Sequence, residues 1–242
     1  MTPAQIEEIT QLRSRKVSPK QIARKLGLRP AEVTAIIKQQ SEAGHIQQTL
    51  PELKAILINE SAAQHLLERS SKKGLFGRKK GEADRNGNGL TQVFLLRVDE
   101  KNRHWVSSYL IDYWCLGVKD TFGPRQVTRK QYDDMLWQTE DRFEEKLQEI
   151  TLEQAQAIVF GAVDYAKGLG LEPHSDFRRS RAHLGPRPET LMTIEFGKDG
   201  MPYFITGPYD DSVKVIKTLR ETVGEGNFHY IAGLDSLAGD FF

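Results

Sequence analysis

The only thiol of the chain, Cys115, lies in the run Asp112-Tyr113-Trp114-Cys115-Leu116-Gly117-Val118-Lys119-Asp120. A nucleophilic cysteine needs a stabilised thiolate, and Lys119 is a cation close enough in sequence to supply that. Tyr113, Trp114, Leu116 and Val118 surround it with bulk. They favour the other common state of a free cysteine, a buried and inert apolar side chain. Asp112 and Asp120 then cap turns or pair with Lys119. A nuclease would need Asp112, Asp120, Asp164 and Glu172 to converge on a cation. Glu172, His174 and Asp176 alternate along the chain, but a metal site takes three or four ligands held in geometry. The remaining histidines, His45, His65, His104, His183 and His229, show no ligand-type spacing. Gly207-Pro208-Tyr209-Asp210-Asp211 opens a helix whose positive end its own aspartates occupy, so capping outweighs phosphate binding. There is no P-loop, dinucleotide fingerprint or nucleophile elbow. No catalytic residue, metal or cofactor is expected, and an enzyme acting on nucleic acid is kept only as an alternative.

The second chemistry available is that of positive charge. The 242 residues carry a net charge of +1, which hides an asymmetry. Residues 1–89 hold 16 Lys and Arg against 9 Asp and Glu, whereas residues 90–242 hold 18 against 24. A front of +7 and a back of −6 suit a polyanion that meets the front only. Lys20, Arg24, Arg29, Thr34 and Lys38 are the candidates for base edges or phosphates within the first 40 residues. Lys72, Lys73, Arg78, Lys79 and Lys80 form a basic run that either tracks phosphates or is a solvated linker. A further basic patch, Arg178, Arg179 and Arg181, lies between His174 and Ala182.

The elements that must position the first set are short helices. Ile6, Ile9 and Leu12 recur at helical spacing. Ser18 and Gln21 fit a capping box, and Ile22, Ala23 and Leu26 give the inner face of the helix they open. Gly27 supplies a sharp turn that only a residue without Cβ makes cheaply. Pro30 fits the first turn of the next helix, with Val33, Ile36 and Ile37 on its inner face. The stretch Pro19 to Lys38, with its small residue, turn glycine and later aliphatics, resembles the bacterial helix-turn-helix DNA-binding family over residues 3–45. That resemblance implies double-stranded DNA as partner, with the 30–40 helix in the major groove. Glu32 and two alanines on the same face weaken the case for base reading. An RNA- or ribosome-associated interaction protein is therefore the alternative.

The rest predicts an α+β chain in two parts. Residues 1–47 form the helix-turn-helix module, and 48–69 read as an additional helix with Leu53, Ile56, Leu57, Leu66 and Leu67 as its stripe, for cover or dimerisation. Residues 70–89 read as a flexible basic linker, 90–232 as an α+β domain, and 233–242 as a tail. Within the domain, 92–98 and 104–111 alternate as a hairpin. Helices are predicted from Thr128 to about Leu147, over 152–168, and from Asp210 or Asp211 to Val223. A second hairpin is predicted across Lys198-Asp199-Gly200, joining 193–196 to 203–206, and a last strand near 227–231. The Asp112–Asp120 run, Lys198–Phe204 and Gly207–Asp211 resemble a bacterial domain of unknown function, a resemblance that carries no activity. A transcriptional regulator with a C-terminal sensor or interaction domain is the expected function, and a protein partner or homodimer is compatible with it. The polar start and the single cysteine suggest the cytoplasm, with no membrane span.

Overall fold

The computed structural model describes residues 3–14, 17–37, 50–68 and 88–232. It divides into two compact units, Met1–Leu50 and Pro51–Phe242. The expectations for Lys38, for the basic run Lys72 to Lys80 and for the tail lie outside the described residues.

The first unit is three helices: α1 (Pro3–Ser14), α2 (Pro19–Leu26) and α3 (residues 30–37). Ile9, Leu12, Ile22, Ala23 and Val33 are buried together and form its core. Ser18 caps α2, its hydroxyl accepting from the Gln21 N–H while the Gln21 side chain accepts from the Ser18 N–H. Gly27 ends α2 at φ 65°. Leu28 then donates to the Ala23 carbonyl at 3.0 Å, which closes the turn.

The second unit is a mixed helix-and-sheet structure around a five-stranded antiparallel sheet. Its strands are β1 (Glu52–Asn59), β2 (Leu90–Val98), β3 (His104–Asp112), β4 (Gly117–Val127) and β5 (Leu147–Glu149), in the order β4-β3-β2-β1-β5. Helix α4 (Glu60–Ala63) runs on into a π-helical turn, Gln64–Glu68. Helix α5 (Arg129–Phe143) covers one face of the sheet and α6 (Leu152–Gly168) the other. Alternation sorts the strand residues between them: Ile56, Ile58, Val93, Leu95, Tyr109 and Ile111 pack with α6, whereas Phe94, Leu96 and Val106 pack with Tyr132 of α5. Both helices open on capping boxes, Thr128 with Gln131 and Thr151 with Gln154. A short helix α7 (Phe177–Ser180) is followed by a 3₁₀ turn, Arg181–Leu184. A second core of Cys115, Leu169, Phe204, Ile216, Leu219 and Phe228 joins α8 (Ser212–Val223) to a small parallel pair, β6 (Tyr203–Ile205) with β7 (His229–Ile231).

Four expectations are corrected. The helix expected over 48–69 is confined to 60–68 among the described residues: residues 52–59 are β1, paired with β2 on one side and β5 on the other. Leu53, Ile56 and Leu57 fit a helical stripe only because a strand covered on both faces is apolar at successive positions. The stretch expected as linker ends in packed structure, since Gly89 is buried and a Cβ there would meet the Trp114 ring at 2.4 Å. The first long helix stops at Phe143, where Glu144 takes φ 54° and turns the chain into β5. The second hairpin has its turn, with Asp199 and Gly200 at φ 54° and 81°, and its second strand, β6, but residues 193–196 form no strand to pair with it. Tyr203 donates to the Trp114 carbonyl, and β6 pairs with β7. Strand β4 lay in a region given no element by its pattern.

Gly117 starts β4 at φ 68°, and a Cβ there would meet the Ala162 carbonyl oxygen at 2.5 Å. Neither the backbone angle nor the helix backbone can give way cheaply. Gly117→Ala is expected to cost about 2–4 kcal/mol in chemical denaturation. An unchanged midpoint would contradict this packing of β4 against α6.

Candidate functional site

Among the described residues, the exposed basic side chains of the first unit are Arg13, which donates to the Val17 carbonyl at the end of α1, and those on α2 and at the start of α3. Lys20 and Arg24 lie one helical turn apart on α2, both exposed, and neither has an ion-pair or hydrogen-bond partner among the described residues. Arg29 is exposed but engaged. Its guanidinium donates to Glu32 Oε1 at 2.6 Å, and its backbone N–H donates to Glu32 Oε2 at 3.1 Å. These bonds hold the Glu32 carboxyl below its ordinary range. Glu32 thus caps the start of α3 and occupies the arginine that sequence reasoning offered to bases. Thr34 donates its hydroxyl to the Pro30 carbonyl at 2.8 Å, a bond within its own helix. Of the five candidates in this unit, two are free for phosphate, two are engaged internally, and Lys38 lies outside the described residues.

In the second unit, the pieces around Cys115 come together. Asp112 closes the β3–β4 connection by accepting from the Trp114 and Cys115 N–H groups at 3.0 and 2.9 Å. Lys119 pairs with Asp210 at 2.5 Å, and the same carboxylate oxygen accepts from the Gly207 N–H at 2.7 Å. Trp114 and Tyr203 meet edge to face at 5.6 Å, and the Lys198 ammonium stands 4.4 Å from the Trp114 ring centre. Lys119 is therefore committed to Asp210, a partner 91 positions away that no local signal could have named. Cys115 is fully buried, and burial, aided by the Asp112 and Asp210 carboxylates, pushes its thiol up, away from the thiolate. Asp112 is likewise buried, which pushes its carboxyl up to about 6 against the two backbone donors and Lys119.

The other carboxylates do not converge. Asp164 pairs with Arg187, Glu172 lies 3.8 Å from Lys167, and Asp120 lies 3.9 Å from His174. Among the described residues no three metal-capable side chains cluster. His174 Nδ1 accepts from the Asp176 N–H, a local turn. Asp211 caps α8 through the Lys214 N–H. Arg178, Arg179 and Arg181, on the second unit, are exposed, and their guanidinium groups have no partners among the described residues. No described helix is long and apolar enough to cross a membrane. Compared with family models, curated proteins and solved structures, the chain matches none.

Two outcomes follow from the Cys115 centre. The thiol is expected to resist a soluble disulfide reagent in the folded protein and to react as the chain unfolds in denaturant. Labelling of the native protein at the rate of a free thiol would contradict its burial. Asp112 has a folded value of about 6 against an ordinary 3.8, so the native state keeps its proton where the unfolded chain has lost it. Its contribution to stability is full below the lower value and is lost as pH rises through the higher one. Asp112→Asn keeps an acceptor for both N–H groups and removes the titration. Between pH 4 and 7 the wild type should lose on the order of 2–3 kcal/mol relative to this variant, and parallel stability curves for the two proteins would refute the assignment.

Proposed function

We propose that the chain is a DNA-binding protein, a transcriptional regulator whose first unit is a helix-turn-helix module and whose second unit senses a ligand or binds a protein. The observation that carries this reading is the pair Lys20 and Arg24, without partners among the described residues, on α2 beside the left-handed Gly27 turn that leads into α3. Charge supports it: residues 1–50 hold 8 Lys and Arg against 4 Asp and Glu. In this reading α3 enters the major groove and α2 holds the backbone. Contact is weighted toward phosphates, because Arg29 and Thr34 spend their donors within the unit. Sequence preference then comes from the few remaining side chains of α3 and from duplex shape. The Arg29–Glu32 pair also favours a second reading, structured RNA, since an interface poor in base readers suits a partner recognised by backbone and shape.

Fluorescence anisotropy with duplex DNA and with hairpin RNA across a salt series separates the two. The combined Lys20→Ala and Arg24→Ala variant is expected to weaken duplex binding and to flatten the slope of log affinity against log salt by about 2. An unchanged affinity and slope would defeat the assignment to this face. Preference for the hairpin, lost in the same variant, would select the RNA reading.

A further inference from the structure

Helix α5 does not cover the whole of its sheet face. Between its C-terminal half and strands β2, β3 and β4 lies a cleft of about 230 Å³. A water's share of liquid is about 30 Å³, so the cleft has room for a small metabolite, and it is below the range that takes drug-sized ligands. Its floor follows from register. Gln92, Leu110 and Asp120 stand in one row across the three strands, and Phe94, Ser108 and Phe122 in the next. Its roof is one stripe of α5, Met135, Gln138, Thr139 and Arg142, at helical spacing.

Three features set its chemistry. First, the floor carries a nearly buried carboxamide between Phe94 and Leu110. Gln92 Nε2 donates to Ser108 Oγ at 3.1 Å, which fixes the amide, while its Oε1 has no partner among the described residues. That acceptor is not sealed from water, so a ligand in the cleft can reach it. Second, opposite charges border the same cleft without meeting. Asp120 on the floor and Arg142 on the roof, both exposed, form no ion pair with each other; Asp120 Oδ1 accepts from the Thr121 N–H at 2.7 Å and lies 3.9 Å from His174, and Arg142 has no partner among the described residues. Third, Phe94, Phe122 and Met135 line the space between them with apolar surface.

We propose that this cleft binds a free α-amino acid with an apolar side chain. The ammonium group of the ligand donates to Asp120 and to Gln92 Oε1. Its carboxylate accepts from Arg142 and from the Gln138 amide, and its side chain rests on Phe122 and Met135. Such a ligand pairs with both charges at once, which neither a simple anion nor a simple amine does. The site goes beyond DNA or RNA binding and is tested without nucleic acid.

The test is calorimetric titration of the full chain with leucine, methionine and phenylalanine, and with N-acetyl-leucine and leucinamide as probes lacking one charge each. Binding of at least one free amino acid is expected, with both blocked probes weaker by about tenfold or more. Arg142→Gln and Asp120→Asn change exposed side chains, and the unliganded variants should unfold at the wild-type temperature. Each is expected to weaken binding of the amino acid about tenfold or more. The proposal is overturned if no free amino acid binds at millimolar concentration. It is equally overturned if the blocked probes bind as well as the free amino acid, or if affinity is unchanged in either variant.

Discussion

The second unit depends on the fact that β2 is covered on both faces. Seven of its nine residues are buried, so each position from Thr91 to Arg97 must suit an interior. Pairing register then decides which layer receives which side chain, and a slip of one residue would exchange the two layers. Three polar residues on β2 make that slip expensive. Thr91 donates to Asn59 Oδ1, Gln92 bonds Ser108, and Arg97 reaches the carbonyls of His183 and Pro51. In the exchanged register each would be buried without its partner, a penalty of about 1–3 kcal/mol for a neutral group and more for a charge. The apolar residues alone would tolerate the exchange better, since Val93 and Leu95 on one face resemble Leu96 and Val98 on the other. Polar pairs thus define the sheet more sharply than its aliphatic majority.

Aspartates at the two ends of β3 complete the frame. Asp99 collects the N–H groups of Lys101 and Arg103 together with the side chains of Arg103 and Trp105, and these donors hold its carboxyl well below the usual range. Asp112 collects two backbone donors at the other end, but it is sealed from water, so its carboxyl moves the opposite way. The same residue in the same kind of turn differs in acidity because burial outweighs backbone hydrogen bonds at one end, while an arginine in water adds to them at the other.

What could be read in advance was local. The caps at Ser18, Thr128 and Thr151, the turn at Gly27, the inward face of α6 and the β2–β3 hairpin are all written within a few residues, and the structure has them. What could not be read was decided by distant partners. Residues 52–59 become a strand because β2 and β5 lie on either side of them, although Leu53, Ile56 and Leu57 alone fit a helix equally well. Residues 193–196 form no strand: the N–H that the next rung of a hairpin would use is claimed elsewhere, since Tyr203 donates to the Trp114 carbonyl, and Gly197 ties the other arm to the Tyr113 carbonyl. The candidate sites divide in the same way. Basic side chains on α2 were visible at once. The engagement of Arg29 by Glu32 was legible in principle from their spacing of three, the reach of a side chain over the first helical turn. The row of Gln92, Leu110 and Asp120 exists only after three strands are in register.

Arg97 shows how far a buried charge can be held without an acid. It is 6% exposed, and its guanidinium donates to two main-chain carbonyls, one from Pro51 just before β1 and one from the 3₁₀ turn after α7. Carbonyl dipoles are weaker partners than a carboxylate, and burial accordingly draws the guanidinium below its ordinary value. His183 supplies one of those carbonyls while its own ring, also buried, has neither nitrogen bonded among the described residues. Burial, with Arg97 adding to it, pushes that imidazole down to about 3, so it stays neutral and adds no second positive charge. The arginine ties the beginning of the sheet to a segment 86 positions further on. A carboxylate in its place among those carbonyls would be repelled, and an apolar residue would leave them without donors. A cation with several directed N–H groups is the side chain that the crossing of these two segments requires.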